Sequence, residues 1–283
     1  MAEVGSPAVR RRELGALLRT LRAEKGLTVE QVADRLLCSP SKVSRMETGR
    51  GVATLRDIRD LANLYGVPDG VRRDHLIHLA LEGKQQGWWE AYDLPYSKYV
   101  GLEAEAVSIR GYQSSVIPGL LQTTDYARAL HEAAVPKLSP SVIDQRVEVR
   151  LIRQQLLSRE SPPIFREVID EAALRRIVGG RTVMRQQLSR LIEACHLKYV
   201  TIRVVPFTVG AHAALESNFK ILDLTPPSPD VVYVENLIGS FYLERPEELE
   251  SFNRVFDELE AMALGHDETV RFIAQIRDEM KTD

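Results

Sequence analysis

The stretch Thr28–Gly49, TVEQVADRLLCSPSKVSRMETG, constrains this chain more than any other. It reads as two short helices joined by a tight turn. Thr28 can cap the first helix, and Gln31 three residues on completes a capping box. That helix is expected over about Val29–Leu37, with Val32, Ala33 and Leu36 on one face. Ser39 is a second N-cap, and Pro40 suits the first helical position, where no N–H is needed. The second helix turns Val43 and Met46 inward and stops near Thr48–Gly49. Ser41, Lys42, Ser44 and Arg45 are left facing outward. Two helices this short cannot bury a core alone, so neighbours must cover them.

The outward face has the chemistry of a DNA reader. Arg and Lys donate to guanine O6 and N7, and Ser donates or accepts. A helix N-terminus also suits a phosphate. Thr28, Ser39, Ser41, Lys42, Ser44 and Arg45 are therefore the candidate DNA-binding residues, with Arg50 in the following loop as a phosphate contact. The competing possibility is an αα-hairpin with no DNA role. Thr28, Gln31, Val32, Ala33, Ser39, Val43, Ser44, Arg45, Glu47 and Gly49 give the stretch its similarity to the helix-turn-helix of the phage-repressor and Cro superfamily. That resemblance implies a second helix lying in the major groove. The superfamily often has Gly at the turn, where this chain has Leu37–Cys38. A left-handed backbone is uncommon for leucine, so a slightly different turn is expected.

The charge is uneven in a way that fits a local DNA footprint. Residues 1–50 hold ten Lys/Arg and six Asp/Glu, a net +4, although the whole chain of 283 residues carries −3. Only Cys38 and Cys195 are present, which suggests neither a disulfide framework nor a metal cluster. No run approaches the roughly 18 apolar residues of a membrane span, and the N-terminus lacks an apolar signal core. A cytoplasmic protein with no membrane association is the expectation.

Around the central stretch, the first nine residues read as a loose arm. Arg10, Arg11 and Arg12 suit either an arm reaching DNA or an ordinary solvated helix start. Leu14, Leu17, Leu18 and Leu21 predict a first helix ending near Lys25–Gly26. Thr54 caps a fourth helix to Tyr65–Gly66, and Pro68 is expected to open a fifth toward Leu81. His75 and His78 share a helix face without an evident carboxylate partner, and no metal site is assigned. Residues 1–83 thus form an all-α, five-helix domain. Residues 84–100 form an aromatic-rich hinge holding Trp88, Trp89, Tyr92, Tyr96 and Tyr99. Those aromatics suit packing between domains, or a ligand or partner surface. Residues 101–283 alternate helical patterns with β-branched runs at 198–205, 219–224, 231–235 and 240–244. They predict a larger α+β domain with a mainly antiparallel sheet.

Two further stretches, GWWEAYDLPYSKYVGLE from Gly87 and VIPGLLQT from Val116, make the chain similar to the actinobacterial WhiJ-like, antitoxin-like regulators. Val149–Leu157, Thr201–Pro206 and Phe219–Leu222 fit as well. The resemblance implies a repressor-type helix-turn-helix followed by a C-terminal domain of unknown function, with a small partner protein encoded nearby. It supplies no catalytic residues. The phosphate-loop, nucleophile-elbow and zinc-protease patterns are missing from the sequence. His212, near Glu216, is expected to be an exposed loop histidine rather than a general base. The chain is therefore expected to be a non-enzymatic transcriptional regulator that needs no cofactor. It would bind double-stranded DNA at a twofold-symmetric operator as a homodimer, with a C-terminal domain that receives a signal. The alternative is an antitoxin-like module that sequesters a small partner, with DNA binding secondary. An enzyme carried on a DNA tether is the third class.

Overall fold

The computed structural model describes residues 7–85, 87–92, 94–226 and 228–280. The chain divides into two compact units, one running to Ala106 with Leu224–Pro229 added, the other holding Val107–Asp223 and Asp230 onward.

The first unit is helical. It holds α1 (Pro7–Glu24), α2 (Val29–Arg35), α3 (Pro40–Glu47), α4 (Leu55–Tyr65), α5 (Val71–Lys84) and α6 (Ser97–Glu105), with a 3-10 turn at Trp88–Ala91. Leu14, Leu18 and Leu21 of α1 meet Val32, Val43, Met46, Ile58, Leu61, Leu76 and Leu79 in one buried core. The apolar spacing of each helix produces this, because residues three and four apart share a face. Gly15 lets α1 sit directly on the end of α3: a Cβ there would lie 2.6 Å from the Glu47 carbonyl oxygen and 2.7 Å from that of Met46. The stretch 84–100, expected as a hinge, groups with this unit; Gln86 and Asp93 within it lie outside the described residues. So do residues 1–6 of the expected arm, whereas Pro7–Arg10 already belong to α1. The fifth helix begins at Val71 rather than Pro68, because Gly70 takes a positive φ of 124° and breaks the chain direction there.

The second unit is α+β. Its strands are β1 (Ser108–Gln113), β2 (Ile164–Asp170), β3 (Val200–Val205), β4 (Phe219–Asp223), β5 (Val231–Asn236) and β6 (Gly239–Leu243). They form one sheet in the order β3-β2-β1-β4-β5-β6. β1/β4, β4/β5 and β5/β6 are antiparallel, while β1/β2 and β2/β3 are parallel. Parallel neighbours need long crossovers. These are supplied by α7 (Thr124–Glu132) with α8 (Pro140–Gln154), and by α9 (Glu171–Arg175) with α10 (Arg181–Cys195). α11 (Pro246–Met262) and α12 (His266–Glu279) complete the unit. Phe256 and Leu259 of α11 join Tyr112, Val168, Phe219, Ile221 and Val232 in a buried cluster. At the middle of the sheet, Gly111 stands between Glu167 and Lys220 in register. Lys220 Nζ passes over it to the buried Glu167 carboxylate. A Cβ on Gly111 would lie 2.5 Å from Lys220 Cδ and 3.0 Å from Glu167 Oε1. Among the described residues, no helix is long and apolar enough to cross a membrane.

Candidate nucleic-acid interface

Local sequence sets the helix-turn-helix. Thr28 Oγ1 accepts the Gln31 N–H at 3.2 Å, and Gln31 Oε1 accepts the Thr28 N–H at 2.9 Å. α2 ends with two hydrogen bonds, Leu37 N–H to the Asp34 carbonyl and Cys38 N–H to the Ala33 carbonyl. This is the double bond of a Schellman ending, which requires a left-handed residue in between. Leu37 adopts that conformation with φ 53°. The turn therefore keeps the left-handed geometry that leucine was expected to avoid. The side chain of Leu37 is 95% exposed, so the local cost of about 1–2 kcal/mol for a left-handed residue is not added to by crowding from neighbours. Ser39 then caps α3, its Oγ accepting the Lys42 N–H at 3.2 Å and lying 3.0 Å from Ser41 Oγ.

α3 buries Val43, Met46 and Glu47 and exposes Ser41, Lys42, Ser44 and Arg45. Glu47 is held by Arg22 of α1, with Nε to Oε1 at 2.6 Å and Nη2 to Oε2 at 2.9 Å. The hydrogen bond to Glu47 raises the Arg22 pKa against the opposing effect of burial. Arg19 Nη2 donates to the Glu47 carbonyl at 3.2 Å. The outward face of α3 is thus fixed from behind by two arginines of α1. Sequence reasoning gave Glu47 no structural partner. The signal was there, since a carboxylate on the same stripe as Val43 and Met46 must find a cation.

Lys42 Nζ lies 2.5 Å from Asp57 Oδ1 on α4. Asp57 also completes the capping box of Thr54. Burial pushes its carboxyl up, but the bonds from Lys42 and Thr54 outweigh this and hold it below the ordinary value. The Lys42 ammonium is thus already engaged by a carboxylate of α4. Arg45 and Arg50 are exposed, and neither has an ion pair among the described residues. Arg10 pairs with Glu13 and Glu82, at 2.8 and 3.1 Å. Arg11 Nη1 donates to the Gly83 carbonyl, and Arg12, 3% exposed, donates to the Pro229 carbonyl within the same unit. The three arginines thus lie inside α1 with internal partners, not on an arm. His75 and His78 have carboxylates after all, Glu13 at 3.6 Å and Glu82 at 3.2 Å.

Trp88 packs edge-on against Trp89 and Tyr92, with centroids 5.7 and 5.9 Å apart. Trp89 and Tyr99 are buried, and Tyr99 Oη donates to Glu103 at 2.6 Å. Tyr92 and Tyr96 are half-buried, while Trp88 is exposed. The VIPGLLQT stretch folds around a 3-10 turn at Gly119–Leu121, and side chains satisfy much of its remaining main chain. Gln154 Nε2 donates to the carbonyls of Gly119 and Gln122, Gln187 bridges Leu121 and Thr123, and Tyr126 Oη accepts from Ile117. Its chemistry is that of a buried support.

His212 departs from its expected exposure. Its ring is buried and T-stacked on Tyr112, with Nε2 3.3 Å from Tyr112 Oη and 3.7 Å from Asp170 Oδ2. The Ala214 N–H donates to Nδ1 at 3.3 Å. A loop that folds back on the sheet brings it to Asp170, which is 42 positions earlier and beyond the reach of a local pattern.

Two family models match the chain. One is described as a helix-turn-helix domain and covers residues 13–76. The other is described as a domain of unknown function, DUF5753, and covers residues 96–275. No curated protein and no solved structure matches it.

Proposed function

The chain belongs to the DUF5753 family, and from its helix-turn-helix we propose that it is a sequence-specific, DNA-binding transcriptional regulator. One observation carries this: α3 exposes Ser41, Lys42, Ser44 and Arg45 while Arg22 and Arg19 clamp its inner end. A rigidly held helix with an outward row of donors suits base readout. We further infer that the protein works as a homodimer on a twofold operator. A single module of this kind reads few base pairs, too few to select one genomic site. The DUF5753 unit then receives a signal from a small protein or ligand and alters operator affinity by binding two arrangements unequally. The WhiJ-like likeness of the sequence supports a small protein as that signal.

The test is fluorescence anisotropy with DNA from the chain's own upstream region. Arg45→Ala is expected to lower specific affinity by roughly 1–3 kcal/mol and relax one base position. Lys42→Ala should weaken all sequences alike and reduce the salt slope by about one. Unchanged operator binding by Arg45→Ala overturns the recognition assignment. A neighbouring small protein that binds tightly without moving operator affinity turns the reading toward the antitoxin-like alternative.

A further inference from the structure

Resting on the reading of α3 as the recognition helix, we propose that Arg12 is a positioning residue for DNA binding. It ties the end of α3 to the proline-rich strap Leu224–Pro229, so that the β4–β5 connection helps set operator affinity.

α1 turns one stripe toward the end of α3. Arg12, Gly15, Arg19 and Arg22 recur three or four positions apart, which puts them on one helix face. Arg22 holds the Glu47 carboxylate, Arg19 the Glu47 carbonyl, and Gly15 lies against the carbonyls of Met46 and Glu47. Arg12 is the first member of the stripe. It meets Gly49, the residue that follows the α3 cap. A Cβ on Gly49 would lie 2.8 Å from Arg12 Cγ and 2.9 Å from its Cα and main-chain nitrogen. Gly49 has φ 65°, a left-handed conformation that glycine takes without steric cost. The main chain of α1 at Arg12 thus fixes where the chain leaves α3.

The side chain of Arg12 serves a second contact. Arg12 is 3% exposed, and a buried cation must be given acceptors. Its Nη2 donates to the Pro229 carbonyl at 2.9 Å. Pro229 closes the segment Leu224–Pro229, which reads LTPPSP. This segment groups with the helical unit, although β4 and β5 on either side of it belong to the other. Leu224 and Ser228 within it are 4% and 5% exposed, against the usual exposure of connecting segments. The Ser228 N–H donates to the Thr225 carbonyl at 3.2 Å.

The strap is stiff and its ends are pinned. Proline fixes φ, and proline-rich segments behave as semi-rigid spacers. At its ends, Leu222 pairs with Val231, the Asp223 carbonyl accepts the Val107 N–H at 2.9 Å, and the Asp223 carboxylate holds Arg110 at 2.7 Å. Two residues would suffice to join antiparallel neighbours; this connection instead makes a longer, partly buried excursion. A stiff segment passes on a displacement that a flexible one would absorb. A ligand or partner that favours one arrangement of the β4–β5 hairpin therefore bears on the Pro229 carbonyl, on Arg12, and so on the exit of α3. Two arrangements of unequal operator affinity are what such coupling requires.

The experiment measures the affinity of the full chain for labelled DNA from its own upstream region, with thermal melts alongside. Arg12→Leu removes the guanidinium, Pro229→Gly loosens the carbonyl it holds, and Arg12→Lys keeps a donor. Arg12→Leu and Pro229→Gly are each expected to lower affinity on the order of tenfold. The double variant should fall no further than Arg12→Leu alone, and Arg12→Lys should recover most of the loss. Amide exchange at Gly49 and Gly51 should quicken in both single variants while that of Ile58 and Leu61 in α4 holds, a split that a general loss of stability does not produce. If Arg12→Leu melts without cooperativity, Pro229→Gly decides: parental affinity and exchange in that variant overturn the strap. Unchanged affinity in Arg12→Leu, or losses that add to within about twofold in the double variant, overturn it as well. Arg45→Ala reports separately on α3. Its loss of affinity beside an unaffected Arg12→Leu leaves the DNA-binding reading standing, and a parent that binds no such DNA overturns both.

Discussion

Replacing Glu47 with alanine isolates the clamp behind the recognition helix. The carboxylate side chain is 5% exposed and accepts two charge-assisted bonds from Arg22. Breaking a fully buried pair by removing one partner costs about 3–5 kcal/mol. Arg22 is 18% exposed and keeps its bond to the Leu27 carbonyl at 2.8 Å, so part of that cost is recovered. Glu47→Ala is therefore expected to destabilise the helical unit by about 2–3 kcal/mol. Arg22→Ala strands the more deeply buried partner and should cost more, about 3–4 kcal/mol. Arg22→Leu with Glu47→Met leaves no orphaned charge and should return to within about 1 kcal/mol of the parent. The double alanine variant, closing the cycle with the two single alanine variants, should show a coupling energy of about 2 kcal/mol or more. Urea denaturation followed by far-ultraviolet circular dichroism reads the stabilities, provided the m-values agree. Operator anisotropy shows whether α3 is still presented. If the two alanine variants add to within about 0.5 kcal/mol in the double alanine variant, the clamp is not a coupled pair and the argument for α3 positioning fails.

Other outcomes follow from single positions. Leu37→Gly relieves a left-handed leucine whose side chain touches water; after the extra unfolded-state entropy of glycine, a gain of up to about 1 kcal/mol in the same denaturation assay is expected. His131 is held down to about 4, chiefly by burial and then by Arg150 and Arg146. Its folded value lies below its unfolded one, so its contribution is present above about pH 6.5 and is lost as pH falls toward 4. His131→Phe should flatten the melting temperature across that window, and an unchanged pH profile would exclude the assignment.

What could be read in advance was local. Thr28, Ser39 and Thr54 cap their helices as their sequence neighbours predict, because a cap is decided within four residues. The α+β class of the second unit followed from alternating patterns. Its strand order did not, since β1 meets β2 across two intervening helices and no short-range pattern encodes that pairing. Arg10, Arg11 and Arg12 stayed open between an arm and a helix start for the same reason, since the Pro229 carbonyl that Arg12 reaches lies 217 positions away. Pro68 suggested a helix start, but the neighbouring Gly70 moved it. Within the candidate site, the outward row was legible from spacing, and the Lys42–Asp57 pair was not.

Gly111 has a consequence for how the sheet finds its alignment during folding. A slip of β1 by two residues in either direction keeps every side chain on its proper face, so hydrophobic patterning alone cannot reject it. Such a slip would bring Ile109 or Gln113 to the place now occupied by Gly111. Either side chain would stand in the path that Lys220 takes to Glu167, leaving a carboxylate and an ammonium separated in the interior. That penalty, several kcal/mol per ion, falls only on the misaligned arrangements. The glycine and the ion pair together work as a gauge mark, read once β1 has both of its neighbours. They join the parallel half of the sheet to the antiparallel half in one alignment.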